Sequence, residues 1–157
     1  MEQRGNLSMF QRFGLPLMVL LPLLALFGVF GVTFERTGAS SERLELHVRH
    51  STRTRLRAPH LLTVEVTNRG QSPLEGVTVV VDREYVDAFS NVAFTPQASE
   101  VTPDEYRIEL GTIAASATRL VTADMTPAAY WRHEGIISAS AEGVEPVEVA
   151  VATFVFP

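Results

Sequence analysis

The side chains best suited to chemistry in this sequence are four histidines, His47, His50, His60 and His133. Imidazole nitrogens, together with a thioether such as that of Met125, are ligands that copper accepts. His47 and His50 are three residues apart, a spacing that sends them to opposite faces of a strand, so one site cannot readily use both. We therefore expect solvated surface histidines, no metal site and no cofactor. A copper-handling assembly factor is the alternative that rests on these residues.

Other catalytic groupings are weaker still. The chain has no cysteine, which excludes disulfides, thiolate metal sites and a thiol nucleophile. The sequence holds neither a Gly-x-Ser-x-Gly turn nor a glycine-rich phosphate loop. Asp82 and Glu84 would share a strand face with Asp87 nearby, but the Asp-x-Asp-x-Asp-Gly loop of a calcium site is missing. We expect no catalytic residues and no enzyme activity.

The charges are unevenly distributed along the chain. Eighteen acidic residues against thirteen basic ones give a net charge of −5, which argues against a nucleic-acid partner. Residues 35–69 hold seven arginines and four glutamates, net +3, whereas residues 70–157 hold four arginines and thirteen acids, net −9.

Three of these arginines, Arg53, Arg55 and Arg57, alternate with other residues. On an extended chain all three point to the same side. Such a stripe suits contact with anionic lipid headgroups or with an acidic surface of a neighbouring membrane protein. The alternative is a solvated connector whose arginines keep an edge strand from pairing.

An apolar run of 22 residues without a charge separates Arg12 from Glu35. As a helix this run is roughly 33 Å long, enough to cross a hydrocarbon core of about 30 Å. A cleaved signal peptide is the alternative, although its apolar part would be shorter. We predict a short cytoplasmic tail over residues 1–12, a transmembrane helix over residues 13–34 and a connector over residues 35–41.

Small or slender side chains line one side of the predicted helix, at Ala25, Gly28, Gly31 and Val32. Because small residues let a second helix approach closely, these positions predict packing against another membrane helix. Glycine is also common in membrane helices without such a role. Basic residues flank both ends of the run, and the acidic residues that follow it favour an N-terminus in the cytoplasm.

Beyond the connector, apolar and polar residues alternate with the period of two that is typical of half-buried strands. Seven or eight short strands spaced by turns predict two antiparallel sheets packed face to face over residues 42–157. Trp131 is expected to plug the core or an edge where the chain crosses between the sheets. The predicted strands lie near residues 44–49, 62–67, 77–81, 88–94, 106–110, 119–125, 135–141 and 147–156.

Three stretches of this region resemble the bacterial immunoglobulin-like modules of the CARDB and DUF11 kind. They are HLLTVEVTNRGQSPLEGVTVVVD, YRIELGTIAASATRLVTADMTP and GIISASAEG. The shared features are a strand ending in Val-x-Asn, a Gly or Ser turn, a strand of alternating valines and a Leu-Gly-x-Ile step. The resemblance covers roughly residues 44–156. It implies an all-β, immunoglobulin-like antiparallel sandwich in an extracytoplasmic setting, and it carries no catalytic residues to this chain.

Together these features predict a single-pass protein of the bacterial inner membrane, with its sandwich in the periplasm. We expect a non-catalytic accessory subunit that caps a larger integral membrane complex, such as a respiratory, photosynthetic or secretion assembly. Its expected partners are the other subunits of that complex and membrane lipids. A membrane-anchored binding or adhesion module is the alternative, but the predicted connector reaches at most about 25 Å, which is short for that role.

Overall fold

The computed structural model describes residues 33–157 throughout and, before them, residues 14, 16, 18–20, 22, 23 and 26. The chain divides into two compact units, Met1–Val32 and Thr33–Pro157. The described residues of the first unit are helical. Among all the described residues, no helix has the length and apolar character needed to cross a membrane. The predicted tail over residues 1–12 and the predicted helix-packing residues Ala25, Gly28, Gly31 and Val32 lie outside the described residues.

The second unit consists of ten strands and one short helix. In chain order they are β1 (Thr33–Ser40), β2 (Leu44–Arg55), β3 (His60–Asn68), β4 (Leu74–Asp82), α1 (Arg83–Asp87), β5 (Phe89–Thr95), β6 (Glu100–Val101), β7 (Glu105–Ile113), β8 (Thr118–Pro127), β9 (Trp131–Ala141) and β10 (Val144–Phe156). All eight predicted strands are present. The sequence pattern did not reveal β1, β6 or the five-residue α1.

The strands form one curled, mostly antiparallel sheet of an immunoglobulin-like sandwich. Its strand order is β5-β8-β3-β2-β10-β9-β4-β7-β6, with β1 paired to β2 outside this path. β2 joins the two halves: its first residues pair antiparallel with β3, and its last three pair parallel with β10. The polypeptide thus crosses from one half of the sandwich to the other within a single strand.

The alternation of buried and exposed residues along the strands produces the core. On β3, and on β4 from Val77 onwards, every second residue is buried, whereas the residues between them are at least partly exposed. Since successive side chains of a strand point to opposite faces, this pattern gives each half of the sheet one apolar face. The buried set includes Leu44, Leu46, Val48, Leu62, Val64, Val66, Val77, Val79, Val81, Ile108, Val121, Ile137 and Val149.

The predicted connector over residues 35–41 is wrong, because most of it belongs to β1. Register pairs run from Thr33 opposite Arg53 to Ser40 opposite Glu45, so the helix predicted over residues 13–34 ends two residues too late, at Thr33 and Phe34. β1 is mostly exposed, so it lacks the apolar alternation that would reveal a strand. Backbone pairing to the edge of β2 holds it in place.

α1 follows directly on β4 and buries Tyr85 and Val86. Asp82 caps it without a side-chain hydrogen bond, since its Oδ2 instead accepts the backbone N–H of Ile136 at 2.7 Å. A Cβ added at Gly135 would lie 2.5 Å from the Cβ of Tyr85. Glycine at this position is what lets α1 lie directly against β9.

Candidate functional site

The structure corrects the expectation that all four histidines are solvated. His50 and His60 are each only 2% exposed. His47 is half-buried on the other face of β2, with Nε2 3.2 Å from a carboxylate oxygen of Glu45, so His47 and His50 do lie on opposite faces. Nε2 of His133 lies 3.3 Å from the carbonyl of Ala129. Within the described ranges, no group of three or more His, Asp or Glu residues is placed to hold a metal ion.

The two buried histidines lie in the region where β2 crosses between the halves of the sandwich. Nε2 of His50 lies 3.2 Å from the carbonyl oxygen of Ala152 on β10. His60 has no hydrogen-bond partner at either ring nitrogen, and its ring lies 5.0 Å from that of Phe89. Burial lowers the pKa of both imidazoles, and the neighbouring His50 further lowers that of His60, to about 4. Both are therefore neutral at pH 7.

A chain of hydroxyl groups completes this buried region. Oγ1 of Thr153 donates to the carbonyl of Ser51 at 2.9 Å. Thr153 has one hydroxyl hydrogen, and it is used in the bond to Ser51. The hydroxyl of Tyr85 is therefore the donor in the 2.9 Å hydrogen bond between the Tyr85 and Thr153 side chains. Burial raises the pKa of Tyr85 to about 12. These two hydrogen bonds join α1, β10 and β2, and their role is to hold the three elements together.

A shallow pocket of about 420 Å³ lies beside α1. Three of its charged groups are engaged: Asp82 accepts the Ile136 N–H, and Nε of Arg83 lies 3.4 Å from Asp87. Asp82 and Glu84 do not share a strand face, because β4 ends at Asp82 and Glu84 lies on the helix. The pocket is lined by Asp82, Arg83, Glu84, Asp87, Pro103 and Asp104.

The predicted arginine stripe is present in part. Arg53 and Arg55 are both exposed and lie on the same face of β2, with the buried Thr54 between them. Arg57 is exposed but lies beyond the end of the strand, where its φ of 61° starts a turn. Its backbone N–H donates to the carbonyl of Pro127. The strand therefore does not extend through Arg57 as predicted, because the chain turns there towards β3.

Aromatic rings lie beside these arginines on the neighbouring strand. Phe154 of β10 is the register partner of Arg53, and Phe156 is the partner of Arg55. The guanidinium carbon of Arg55 lies 5.6 Å from the centre of the Phe156 ring. On the other side of β10, Phe154 is paired with Arg132 of β9. An exposed band of alternating cations and rings thus crosses three adjacent strands.

Trp131 extends this band. Its indole is 71% exposed and meets the Phe154 ring edge-on, with 6.4 Å between the ring centres. Trp131 has a φ of 81°, a conformation that costs a non-glycine residue on the order of 1–2 kcal/mol. Trp131 therefore does not plug the core, which is one of the two positions that the sequence suggested for it. We call this band the arginine–aromatic face; it comprises Arg53, Arg55, Trp131, Arg132, Phe154 and Phe156.

The arginine–aromatic face lies at the end of the sandwich where the second unit begins. Thr33, its first residue, pairs with Arg53, and Phe34 lies beneath the guanidinium of Arg49, 5.5 Å from ring centre to carbon. The end of β10, the start of β9 and the end of β2 meet at this same edge. The first strand thus starts beside the cations and rings of this face.

Sequence reasoning found two members of this face and missed the other four. Arg53 and Arg55 stand out because they alternate within one segment. Trp131 and Phe154 are 23 residues apart and meet only through the pairing of β9 with β10. A signal was nevertheless present: Phe154 and Phe156 occupy the outward positions of β10, where alternation would place polar side chains.

No protein-family model matches the chain, and no curated protein sequence matches it either. Solved structures do. A CARDB domain from Pyrococcus furiosus, determined in complex with di-metal ions, is 12% identical with a TM-score of 0.45, over 74% of this chain and 97% of that one. The resemblance to CARDB modules seen in the sequence is thus accompanied by a CARDB domain among the similar structures.

Two further solved structures are similar to the chain. The GAE domain of GGA2p from Saccharomyces cerevisiae is 17% identical with a TM-score of 0.37, over 78% of this chain and 98% of that one. A GH20 exo-β-N-acetylglucosaminidase from Vibrio harveyi is 13% identical with a TM-score of 0.35. The match covers 73% of this chain but 18% of the enzyme.

Proposed function

We propose that the chain is a non-catalytic, single-pass accessory subunit of a larger integral membrane complex. The apolar segment that precedes β1 anchors it in the bacterial inner membrane, and the sandwich caps the complex on the periplasmic side. The observation that carries this proposal is the position of β1, which begins at Thr33 and is paired with β2 along its whole length.

This position favours a cap over an adhesion module. The apolar run reaches residue 34, so β1 starts while the sequence is still apolar. Eight register pairs then fix β1 to β2, and β2 in turn pairs with both halves of the sandwich. Paired strands are stiff compared with a flexible linker of the same length. Residues 35–40 therefore give the module no extra reach as a free connector, and a short reach suits contact with neighbouring subunits better than adhesion at a distance.

Co-purification from native membranes tests the proposal. The affinity tag belongs at the N-terminus, because Pro157 directly follows the arginine–aromatic face. After solubilisation in a mild detergent, we expect the full chain to run in an assembly well above its own 17.3 kDa, with the same partners in each preparation. A matched control carries residues 1–32 with the same tag and no sandwich. Recovery of the full chain only as a free monomer would contradict the proposal.

A further inference from the structure

We propose that the arginine–aromatic face binds the anionic headgroup region of the membrane. This inference rests on the proposed anchoring and adds a second, direct contact between the sandwich and the bilayer. It starts from the combination of side chains. Arginine offers five N–H donors in a planar fork that matches phosphate oxygens, and tryptophan is enriched at the interface between membrane and water.

The geometry presents both groups outward. The Arg55 guanidinium lies over the Phe156 ring, so one side of its plane is covered while the N–H edge is left for an anionic oxygen. Trp131 and Phe154 are 71% and 40% exposed, and their edge-on contact leaves much of both rings in water. Transfer of such rings into the headgroup region removes apolar surface from water, and this favours binding.

The local charge complements an anionic surface. Arg49, Arg53, Arg55, Arg57 and Arg132 are all exposed around this end of β2 and β9. Two carboxylates lie beside them: Glu35 on β1, and Glu134, which forms an ion pair with Arg132. Five arginines against two glutamates leave a local charge of +3. Asp82, Glu84 and Asp87 lie on β4 and α1, beyond β9 in the strand order.

The first residue of the sandwich lies beside this face. Thr33 pairs with Arg53 of the face and is preceded in the sequence by the apolar run. If that run is the anchor, the face belongs to the end of the sandwich at which the chain is attached to it. At the contribution that is typical of a basic residue near an anionic leaflet, three arginines correspond to roughly a hundredfold difference in binding at low salt.

Trp131 supplies the readout because it is the single tryptophan of the chain. The full chain is reconstituted into vesicles that contain lipids brominated on their acyl chains, with either anionic or zwitterionic headgroups. Flotation measures anchoring, and bromine quenching of Trp131 measures contact of the face with the bilayer. We expect at least twofold stronger quenching in anionic vesicles, and a decrease towards the zwitterionic value in about 0.5 M salt, where charge screening is strong.

Variants separate this contact from anchoring. The triple change Arg53→Gln, Arg55→Gln and Arg132→Gln is expected to float like the wild type but to lose the extra quenching. The matched control changes Arg69→Gln and Arg119→Gln, two exposed arginines at the opposite end of the sandwich, and should keep it. Equal thermal unfolding midpoints for all three proteins show that the sandwich is intact.

The outcomes distinguish the two proposals. A chain that floats in both kinds of vesicle but shows equal quenching overturns the lipid contact and leaves the proposed function standing. A chain that floats with neither composition contradicts both. If quenching is equal and the triple variant loses protein partners from native membranes, the face binds an acidic protein surface, and the lipid contact is wrong.

Discussion

Thr33 and Arg53 are register partners on β1 and β2, and this pair joins the start of the sandwich to its arginine–aromatic face. Most of the segment predicted as a connector belongs instead to β1, a strand that pairs with β2 along eight residues. The sandwich therefore begins at Thr33, before the predicted connector. Its exposed cations and rings surround the point where the first strand begins.

The buried His60 should make stability depend on pH. Its pKa is about 4 in the folded protein, against an ordinary 6.5, so the unfolded chain binds more protons between these values. The free energy of unfolding is therefore highest above pH 6.5. It falls as the pH drops towards 4, and this histidine lowers it by about 3 kcal/mol at most. His50, whose pKa is also lowered, adds to the loss in the same direction.

Replacing His60→Leu should flatten most of this pH dependence and raise the unfolding midpoint at pH 5. The change removes two buried ring nitrogens that have no partner, and removing unsatisfied polar groups is neutral or stabilising. Thermal unfolding from pH 4 to pH 8 measures the effect. An unchanged profile for His60→Leu would show that His60 is not the group responsible.

The hydroxyl chain between Tyr85, Thr153 and Ser51 predicts unequal costs for two similar substitutions. Tyr85→Phe removes only the donor, since Thr153 keeps its bond to Ser51, and should cost about 1 kcal/mol. Thr153→Val leaves both the Tyr85 hydroxyl and the Ser51 carbonyl without this partner, and should cost about 2 kcal/mol or more. Urea unfolding of both single variants and of the double variant measures the difference. Equal costs with full additivity would mean that the two hydroxyls do not act together.

Asn68 should be among the most sensitive polar positions. It is fully buried; its Nδ2 donates towards the carbonyls of Ser72, Ile113 and Ala114, and its Oδ1 accepts the N–H of Gly70. Asn68→Asp keeps the shape but replaces the donor group by an oxygen that cannot donate. We expect a loss of about 2–4 kcal/mol in the free energy of unfolding.

The exposed Asn91 of β5 provides the matched control. Asn91→Asp makes the same chemical change without burial and should stay within about 0.5 kcal/mol of the wild type. Chemical unfolding at pH 7 measures both variants. A mild effect at Asn68 would mean that the turn after β3 does not depend on these hydrogen bonds.

Much of the fold can be predicted from the sequence because half-buried strands show an alternation of apolar and polar residues. The alternating residues of β3 and β4 lie at the positions that predict them, and Asn68, in the Val-x-Asn pattern, occupies the turn that this pattern suggests. β1 escaped prediction because both its faces are mostly exposed, so its residues carry no alternation. α1 escaped because five residues are too few to show a helical period.

The candidate site was less predictable for a different reason. His60 lies at the start of a strand, where the sequence suggests exposure, but the ring of Phe89 packs against it and the paired strand β8 lies beside it. Likewise, the neighbours of Arg53 are set by pairing across β10 to β9, which depends on the order of strands in the sheet. The local sequence pattern predicts which face of a strand a side chain occupies. Contacts between distant strands can be predicted only when the order of the strands in the sheet is known.

The most direct test of the account lengthens the attachment. A variant with twelve Gly and Ser residues inserted between Val32 and Thr33 adds a flexible span of about 19 Å while leaving both units unchanged in sequence. The account predicts that this chain still folds and still floats with membranes, but migrates on a native gel without the partners that the wild type retains. If the lengthened chain migrates with the same partners in the same assembly, close attachment is not what places the sandwich, and the account is contradicted.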